Sequence, residues 1–165
     1  MKTMAGKVLI LMGSKTDSEV MGETARVLSE LGIQCTMTVA SAHRAPARTQ
    51  KLARDAEKDG YAVIVAGAGA AAHLAGFVAA ESLLPVIGVP LAGSPLFGFD
   101  SLLATVQMPG GVPVATMAVG KAGAHNAAVL AAQILALSDP GLKEKLKGRR
   151  REMADSVAAA AEEVR

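Results

Sequence analysis

The sequence predicts a three-layer α/β/α domain, in which helices cover both faces of a five-stranded parallel sheet. Short apolar runs alternate with longer helical stretches along the chain, and this alternation is typical of βαβ units. Several of the runs are continuously apolar, as expected for strands that are covered on both faces. The length of 165 residues suits one domain with a sizeable core.

Five apolar segments are the predicted strands. In chain order they are KVLILM, IQCTMTVA, YAVIVAG, LPVIGVP and GVPVATMAV. The pattern favours a flavodoxin-like strand order, in which ligands bind outside the carboxyl ends of the strands. We therefore expect the functional site in the loops that follow the strands.

Helical stretches connect these strands. Apolar residues recur at helical spacing over residues 18–31, and Gly32 marks the end of that helix. A polar helix is predicted over about 46–59, because Pro46 suits a first helical turn. An apolar helix runs to about residue 83, and GAHNAAVLAAQILAL is a long alanine-rich helix.

An extra C-terminal helix over about 140–164 follows a core of about 7–137. Its apolar stripe, which packs on its own domain or on a neighbouring subunit, consists of Leu142, Leu146, Met153, Val157 and Val164. No linker or internal repeat is visible, so residues 1–165 are expected to form a single domain.

Composition excludes several classes of function. Aromatic residues make up 2% of the chain, which argues against base-stacking recognition of single-stranded nucleic acid. The basic run KEKLKGRRR is typical of a solvated helix face. Cys35 is the single cysteine and is read as a core residue, so no disulfide forms within the chain. No signal peptide or membrane span is predicted, and we expect a cytoplasmic protein.

The loop MGSKTDSE follows the first strand. Gly13 allows a tight turn, and Ser14, Thr16 and Asp17 place hydroxyls and a carboxylate at the start of a helix. A helix N-terminus favours a phosphate, and Asp17 suits the two hydroxyls of a ribose. The alternative is that one of these side chains only caps the helix.

The loop SAHRAP follows the second strand. Arg44 carries a fork of donors that suits a phosphate. His43 changes charge near neutral pH and therefore suits proton transfer. The alternative is a surface histidine beside an arginine that forms a salt bridge.

The loop AGAGAAAHLAG, residues 66 to 76, follows the third strand. Its small side chains let backbone amides approach a planar ligand or a small anion. Ala72 occupies the third glycine position of a dinucleotide fingerprint, so that motif is broken. His73 either caps the next helix or lines the site.

The sequence lacks the motifs of zinc sites, of nucleophilic hydrolases and of P-loop nucleotide-binding proteins. His43, His73 and His125 match no zinc spacing, and neither a nucleophile elbow nor a P-loop is present. Lys121 is expected on the surface. The residues alone predict a nucleotide-like substrate and proton transfer, with no metal and no bound cofactor.

Five motifs together resemble the PurE family of purine biosynthesis. They are MGSKTD, SAHRAP, AGAGAAAHLAG, DSLLATVQMPGGVPV and GKAGAHNAAVLAAQIL, and the resemblance covers about residues 7–137. It implies a homo-octamer of flavodoxin-like subunits with active sites between subunits. The implied reaction converts N5-carboxyaminoimidazole ribonucleotide to 4-carboxy-5-aminoimidazole ribonucleotide. Arg44 and AAHLAG are similar to the mutase branch rather than the branch that carboxylates aminoimidazole ribonucleotide directly.

The resemblance also implies a role for each site residue. The phosphate would be held by Ser14, Thr16, Ser41 and Arg44. Asp17 would hold the ribose, and His43 would be the general acid and base. Carbon dioxide would lie on the backbone of residues 67 to 71, which includes Ala68, Gly69, Ala70 and Ala71, with His73 shaping that loop.

The sequence departs from the family pattern at several positions. Ala70 stands where the family usually has glycine, and Ala75 stands where it usually has proline. Residues 91–99 also differ, and His125 usually has a smaller counterpart. A methyl at Ala70 would crowd the site if its φ were positive. Two alternatives stay open, a direct carboxylase and a non-catalytic nucleotide- or flavin-binding module.

Overall fold

In the computed structural model, which describes residues 6–164, five parallel strands form one sheet. The strands are β1 (Lys7–Met12), β2 (Cys35–Val39), β3 (Tyr61–Gly69), β4 (Val86–Leu91) and β5 (Ala115–Thr116). Their order across the sheet is β2-β1-β3-β4-β5. This is the flavodoxin-like order, so the predicted fold class is confirmed.

Helices cover both faces of the sheet. They are α1 (Ser18–Glu30), α2 (Pro46–Asp55), α3 (Leu74–Glu81), α4 (Phe99–Val106), α5 (Lys121–Leu135) and α6 (Pro140–Glu163). α1 and α5 pack on one face, while α2 and α3 pack on the other. α4 packs beside β4 on the α3 side, because Gly88 of β4 faces both Thr105 and Ala75.

β1 shows why an interior strand of the sheet is apolar after its first residue, Lys7. Val8 and Ile10 pack under α1 and α5, whereas Leu9 and Leu11 face α2 and α3. All four side chains are essentially buried. Each such burial stabilises the fold by about 1.5–3 kcal/mol. β1 is therefore fixed on both faces, and Gly13 at its end has a defined position.

β2 is the edge strand beside β1 and is only partly covered. Met37 and Val39 each keep more than a third of their surface exposed. Cys35 is half-buried against the core, and this burial raises the pKa of its thiol. An unreactive packing residue is the interpretation that fits this environment.

The region between β4 and β5 differs from the expectation. Residues 111–119 were expected to form a strand, but only Ala115–Thr116 pair with β4. Residues 99–106 form α4, which the sequence pattern did not predict. The buried face of α4 consists of Ser101 and Thr105, whose hydroxyls donate to backbone carbonyls. Polar residues at the buried positions hide the apolar period that normally predicts a helix.

α6 packs on the domain along its first half only. Leu142 is buried and Leu146 packs against the core beneath α1 and α5. Met153, Val157 and Val164 are exposed. The predicted apolar stripe therefore divides into a part covered by its own domain and a part left uncovered in the single chain.

Candidate active site

A cavity of about 400 Å³ lies where the carboxyl ends of β1, β2 and β3 meet. It is lined by Gly13, Ser14, Thr16, Asp17, Ser41, Ala42, His43, Arg44, Ala68, Gly69, Ala70, Ala71, Leu74 and Gly93. The three loops singled out in the sequence thus share one space. His73 is the predicted site residue outside this lining, and its ring contacts that of His43.

The first loop is held by hydrogen bonds between its own residues. The Ser14 N–H donates to the Asp17 carboxylate over 2.9 Å, and the Thr16 hydroxyl donates to Ser14 Oγ over 3.0 Å. The bond from the Ser14 N–H is half of a capping box on a short 3₁₀ helix, Lys15–Asp17, in which Ser14 Oγ also accepts from a backbone N–H. Burial raises the pKa of Asp17, although the Ser14 N–H and the nearby Arg44 oppose this shift. Capping and ligand contact are compatible, because one oxygen of Asp17 takes the Ser14 bond.

Arg44 ties the first loop to the second. Its Nη2 donates to the carbonyl of Gly13 over 2.9 Å, and its Nε donates to Ser41 Oγ over 3.3 Å. The same Ser41 hydroxyl accepts from the Arg44 N–H. The guanidinium is therefore fixed at the mouth of β1, where it is exposed to a ligand. The alternative of an arginine that only forms a salt bridge is not observed.

His43 and His73 are in direct contact. Nε2 of His43 lies 2.9 Å from Nδ1 of His73, and the two rings meet edge to face. One nitrogen must donate a proton and the other must accept it. His73 stands at the N-cap of α3 but makes no side-chain capping bond. Of its two expected roles, capping is therefore wrong, and the side chain contacts His43 without lining the cavity itself.

The third loop turns sharply after β3. Ala70 has a φ of +50°, in the left-handed region. The amides of Ala72 and His73 donate to the carbonyls of Ala70 and Ala71, each over 2.8 Å. The N–H of Ala71 meets no acceptor among residues 6–164. The turn thus presents backbone and methyl groups to the cavity rather than polar side chains.

Three lining residues were not singled out from the sequence. Ala42 lies between two expected residues, and Leu74 begins α3. Gly93 follows β4. The strand-end argument that located the other loops applies equally to β4, so the signal for Gly93 was present in the pattern.

A larger cavity of about 650 Å³ lies elsewhere, between α5 and α6. Its lining combines four cationic residues with apolar ones; the cationic residues are Lys143, Lys147, Arg150 and Arg151. It contains no histidine, carboxylate or hydroxyl. We place the site in the smaller cavity, because size without reactive groups supports no chemistry.

His125 and Lys121 lie outside the cavity lining. His125 Nδ1 is 2.8 Å from Glu23, and its Nε2 is 2.7 Å from Arg149. These contacts join α1, α5 and α6. Lys121 is exposed at the start of α5, as expected.

Residues 6–164 contain neither a metal-binding cluster nor a helix that could span a membrane. No group of three or more histidine, cysteine or acidic side chains is placed to hold a metal ion. No helix in this range is long and apolar enough to cross a bilayer.

Comparison with known proteins identifies close relatives. The model of a family described as AIR carboxylase matches residues 7–156. The N5-carboxyaminoimidazole ribonucleotide mutase of Escherichia coli strain K12 is 50% identical over 151 residues, covering 92% of this chain and 89% of that protein. The protein of the same name from Pyrococcus abyssi is 54% identical over 147 residues, covering 89% of this chain and 83% of its own length.

A solved structure shares the fold. The crystal structure of Treponema denticola PurE superposes with a TM-score of 0.82 at 26% identity. The superposition covers 92% of this chain and 94% of that one.

Proposed function

The chain belongs to the AIR carboxylase family, and we propose that it is an N5-carboxyaminoimidazole ribonucleotide mutase, an isomerase of purine biosynthesis. The proposal rests mainly on one cavity, whose lining brings together the imidazole of His43, the fixed guanidinium of Arg44 and the carboxylate of Asp17. That cavity occurs in a chain about half identical to proteins of this name over nine-tenths of its length.

The ribonucleotide is anchored by the first two loops. Arg44, Ser14, Thr16 and Ser41 bind the phosphate, because the guanidinium and hydroxyls supply hydrogen-bond donors on one wall of the cavity. Asp17 accepts hydrogen bonds from the ribose hydroxyls with the oxygen that Ser14 does not use. This arrangement directs the aminoimidazole ring towards His43 and the third loop.

His43 moves one proton in each direction. Protonated His43 donates to the exocyclic nitrogen as its bond to the carboxyl carbon breaks, which releases carbon dioxide and aminoimidazole ribonucleotide. C4 of the ring then attacks the carbon dioxide and forms the new carbon–carbon bond. Neutral His43 removes the C4 proton, which restores aromaticity and returns His43 to its protonated form.

The third loop holds the carbon dioxide between these steps. Ala68, Gly69, Ala70 and Ala71 line the cavity with small groups, and the N–H of Ala71 is free to donate. Retention beside C4 replaces a bimolecular encounter, an effect that removes several kcal/mol of barrier, up to about 7–11 kcal/mol. Exclusion of water limits hydration of the captive molecule.

His73 is a positioning residue. Because its Nδ1 meets Nε2 of His43, it fixes the ring and leaves Nδ1 of His43 to exchange protons with the substrate. A second ring nitrogen that is held by a neighbour is a common way to set the tautomer of a histidine.

The active form is a cytoplasmic homo-octamer with sites between subunits. Large apolar side chains left exposed in the single chain support an assembly; they include Phe97, Phe99, Met153 and Val157. Light scattering on a size-exclusion column tests this, and a monomer at micromolar concentration would contradict it.

The function is tested by following product from N5-carboxyaminoimidazole ribonucleotide without added bicarbonate, metal or ATP. Conversion that persists with a chelator supports the mutase. Product formed only from aminoimidazole ribonucleotide and carbon dioxide would identify a direct carboxylase. Binding of the nucleotide without any product would indicate a binding module.

A further inference from the structure

A second groove of about 550 Å³ adjoins the active-site cavity. It shares Gly13, Ser14, Ser41 and Arg44 with that cavity and adds Lys15 and Arg48. We call it the basic groove, because it is lined by three cationic side chains and by no carboxylate. Of the shared residues, Ser14, Ser41 and Arg44 are the ones to which the proposed function assigns phosphate binding.

The active-site cavity and the basic groove differ in the charge of their lining residues. Arg44 and Asp17 are the formally charged side chains of the cavity lining, so they cancel. A phosphate monoester carries about −1.5 to −2 charges at pH 7. The cavity by itself therefore offers a dianion at most the single positive charge that protonated His43 carries. The basic groove adds two positive charges next to the same hydroxyls.

Arg44 has also used part of its donor fork. Its Nη2 is bound to the Gly13 carbonyl, and its Nε is bound to Ser41 Oγ. Bidentate recognition of a phosphate needs two parallel N–H groups. A further arginine would add its own Nη1 donors and a second positive charge to those that Arg44 offers the phosphate.

Arg48 is placed to do so. Its Nε donates to the Val39 carbonyl over 3.2 Å, and its Nη2 donates to Thr38 Oγ1 over 3.1 Å. These bonds hold the side chain against the end of β2, while Nη1 meets no acceptor among residues 6–164. Arg48 lies in the first turn of α2, whose N-cap Ala45 makes no side-chain capping bond. The positive end of that helix adds to the field in the groove.

We propose that the substrate's 5′-phosphate bridges the cavity and the basic groove, with Arg48 as its second arginine and Lys15 as a third cation. This rests on the proposed function. Arg48 is a binding residue that sets affinity for the phosphorylated substrate and takes no part in proton transfer.

The test compares Arg48→Gln with Arg54→Gln, an exposed arginine on the same helix that pairs with Glu81 instead. We expect Arg48→Gln to raise KM about tenfold and to leave kcat within about twofold, since one charged hydrogen bond is lost. Arg54→Gln is expected to leave both unchanged. Arg48→Lys should recover part of the affinity, because it keeps the charge without the fork.

Calorimetry with ribose 5-phosphate tests the groove independently of turnover. Binding to the wild type should weaken steeply with salt, and binding to Arg48→Gln should be weaker and less salt-dependent. Thermal melting identifies any variant whose loops are disturbed. Equal affinity for ribose 5-phosphate in wild type and Arg48→Gln would overturn the proposal, even if the wild type is an active mutase. Weakened binding in an inactive protein would support the groove and refute only the proposed function.

Discussion

His43 and His73 lie 30 residues apart in the sequence and meet at 2.9 Å between Nε2 and Nδ1, with their ring planes at 81°. They belong to loops after two different strands, β2 and β3, which both flank β1. The contact therefore depends on the strand order of the sheet. It brings two histidines that are far apart in the sequence into direct contact.

Replacement of His73 tests this pairing. We expect His73→Ala to lower kcat about 10- to 100-fold, within the range that positioned acid–base groups contribute, with little change in KM. His73→Asn should recover part of the loss, because its short amide keeps a polar group near the former Nδ1 position. The pH profile of kcat distinguishes the roles: a positioning residue shifts the profile of His43, whereas a merely structural one lowers it uniformly.

Ala70 carries backbone strain that glycine would relieve. Its φ of +50° costs an alanine about 1–2 kcal/mol. Ala70→Gly should therefore raise the free energy of unfolding by about 1 kcal/mol, despite the greater flexibility of glycine in the unfolded chain. Urea denaturation measures the difference.

Ala68 provides the matched control for that substitution. It lies two residues earlier, inside β3 and without a positive φ. Ala68→Gly is expected to lower the free energy of unfolding by about 0.5–1 kcal/mol. Loss of stability in both variants would show that residue 70 is not strained.

Glu23 is expected to make the stability of the folded protein depend on pH in the acidic range. Hydrogen bonds from Arg26 and His125 lower the pKa of Glu23 from its ordinary 4.5 to about 2. A carboxylate with a depressed pKa in the folded state stabilises above its unfolded pKa and loses that effect as the pH falls towards the folded value. We expect the wild type to lose stability between pH 4.5 and about 2 through this group.

Glu23→Gln should remove that part of the pH dependence. The side chain is mostly buried, so the change should cost about 1.5–3 kcal/mol at pH 7. Glu19→Gln, on the same helix and exposed, is the control and should change little. An unaltered slope in Glu23→Gln between pH 4.5 and 2 would contradict the assignment.

The sequence predicted the sheet and the convergence of three loops on one cavity well, because both depend on local patterns. The continuous apolar run of residues 8–12 in β1, followed by Gly13, locates a buried parallel strand and the loop after it. The same pattern located the His43 and Ala68–Ala71 loops, since strand ends converge at one edge of a parallel sheet.

What the sequence could not predict depends on contacts between distant segments. The hydrogen bond from Arg44 to the Gly13 carbonyl requires the loops of β1 and β2 to be adjacent. The strained turn at Ala70 was only a conditional expectation, because an alanine does not reveal a positive φ. Arg48 was read as one residue of a polar helix, and only the fold places it beside Lys15.

The central claim is that His43 carries the proton in both directions. The most direct measurement is single-turnover conversion of N5-carboxyaminoimidazole ribonucleotide by wild type and by His43→Asn, with binding of the nucleotide measured on both. We predict that His43→Asn binds the nucleotide with nearly wild-type affinity and forms no product. Product formation by His43→Asn at a rate near that of the wild type would contradict the account.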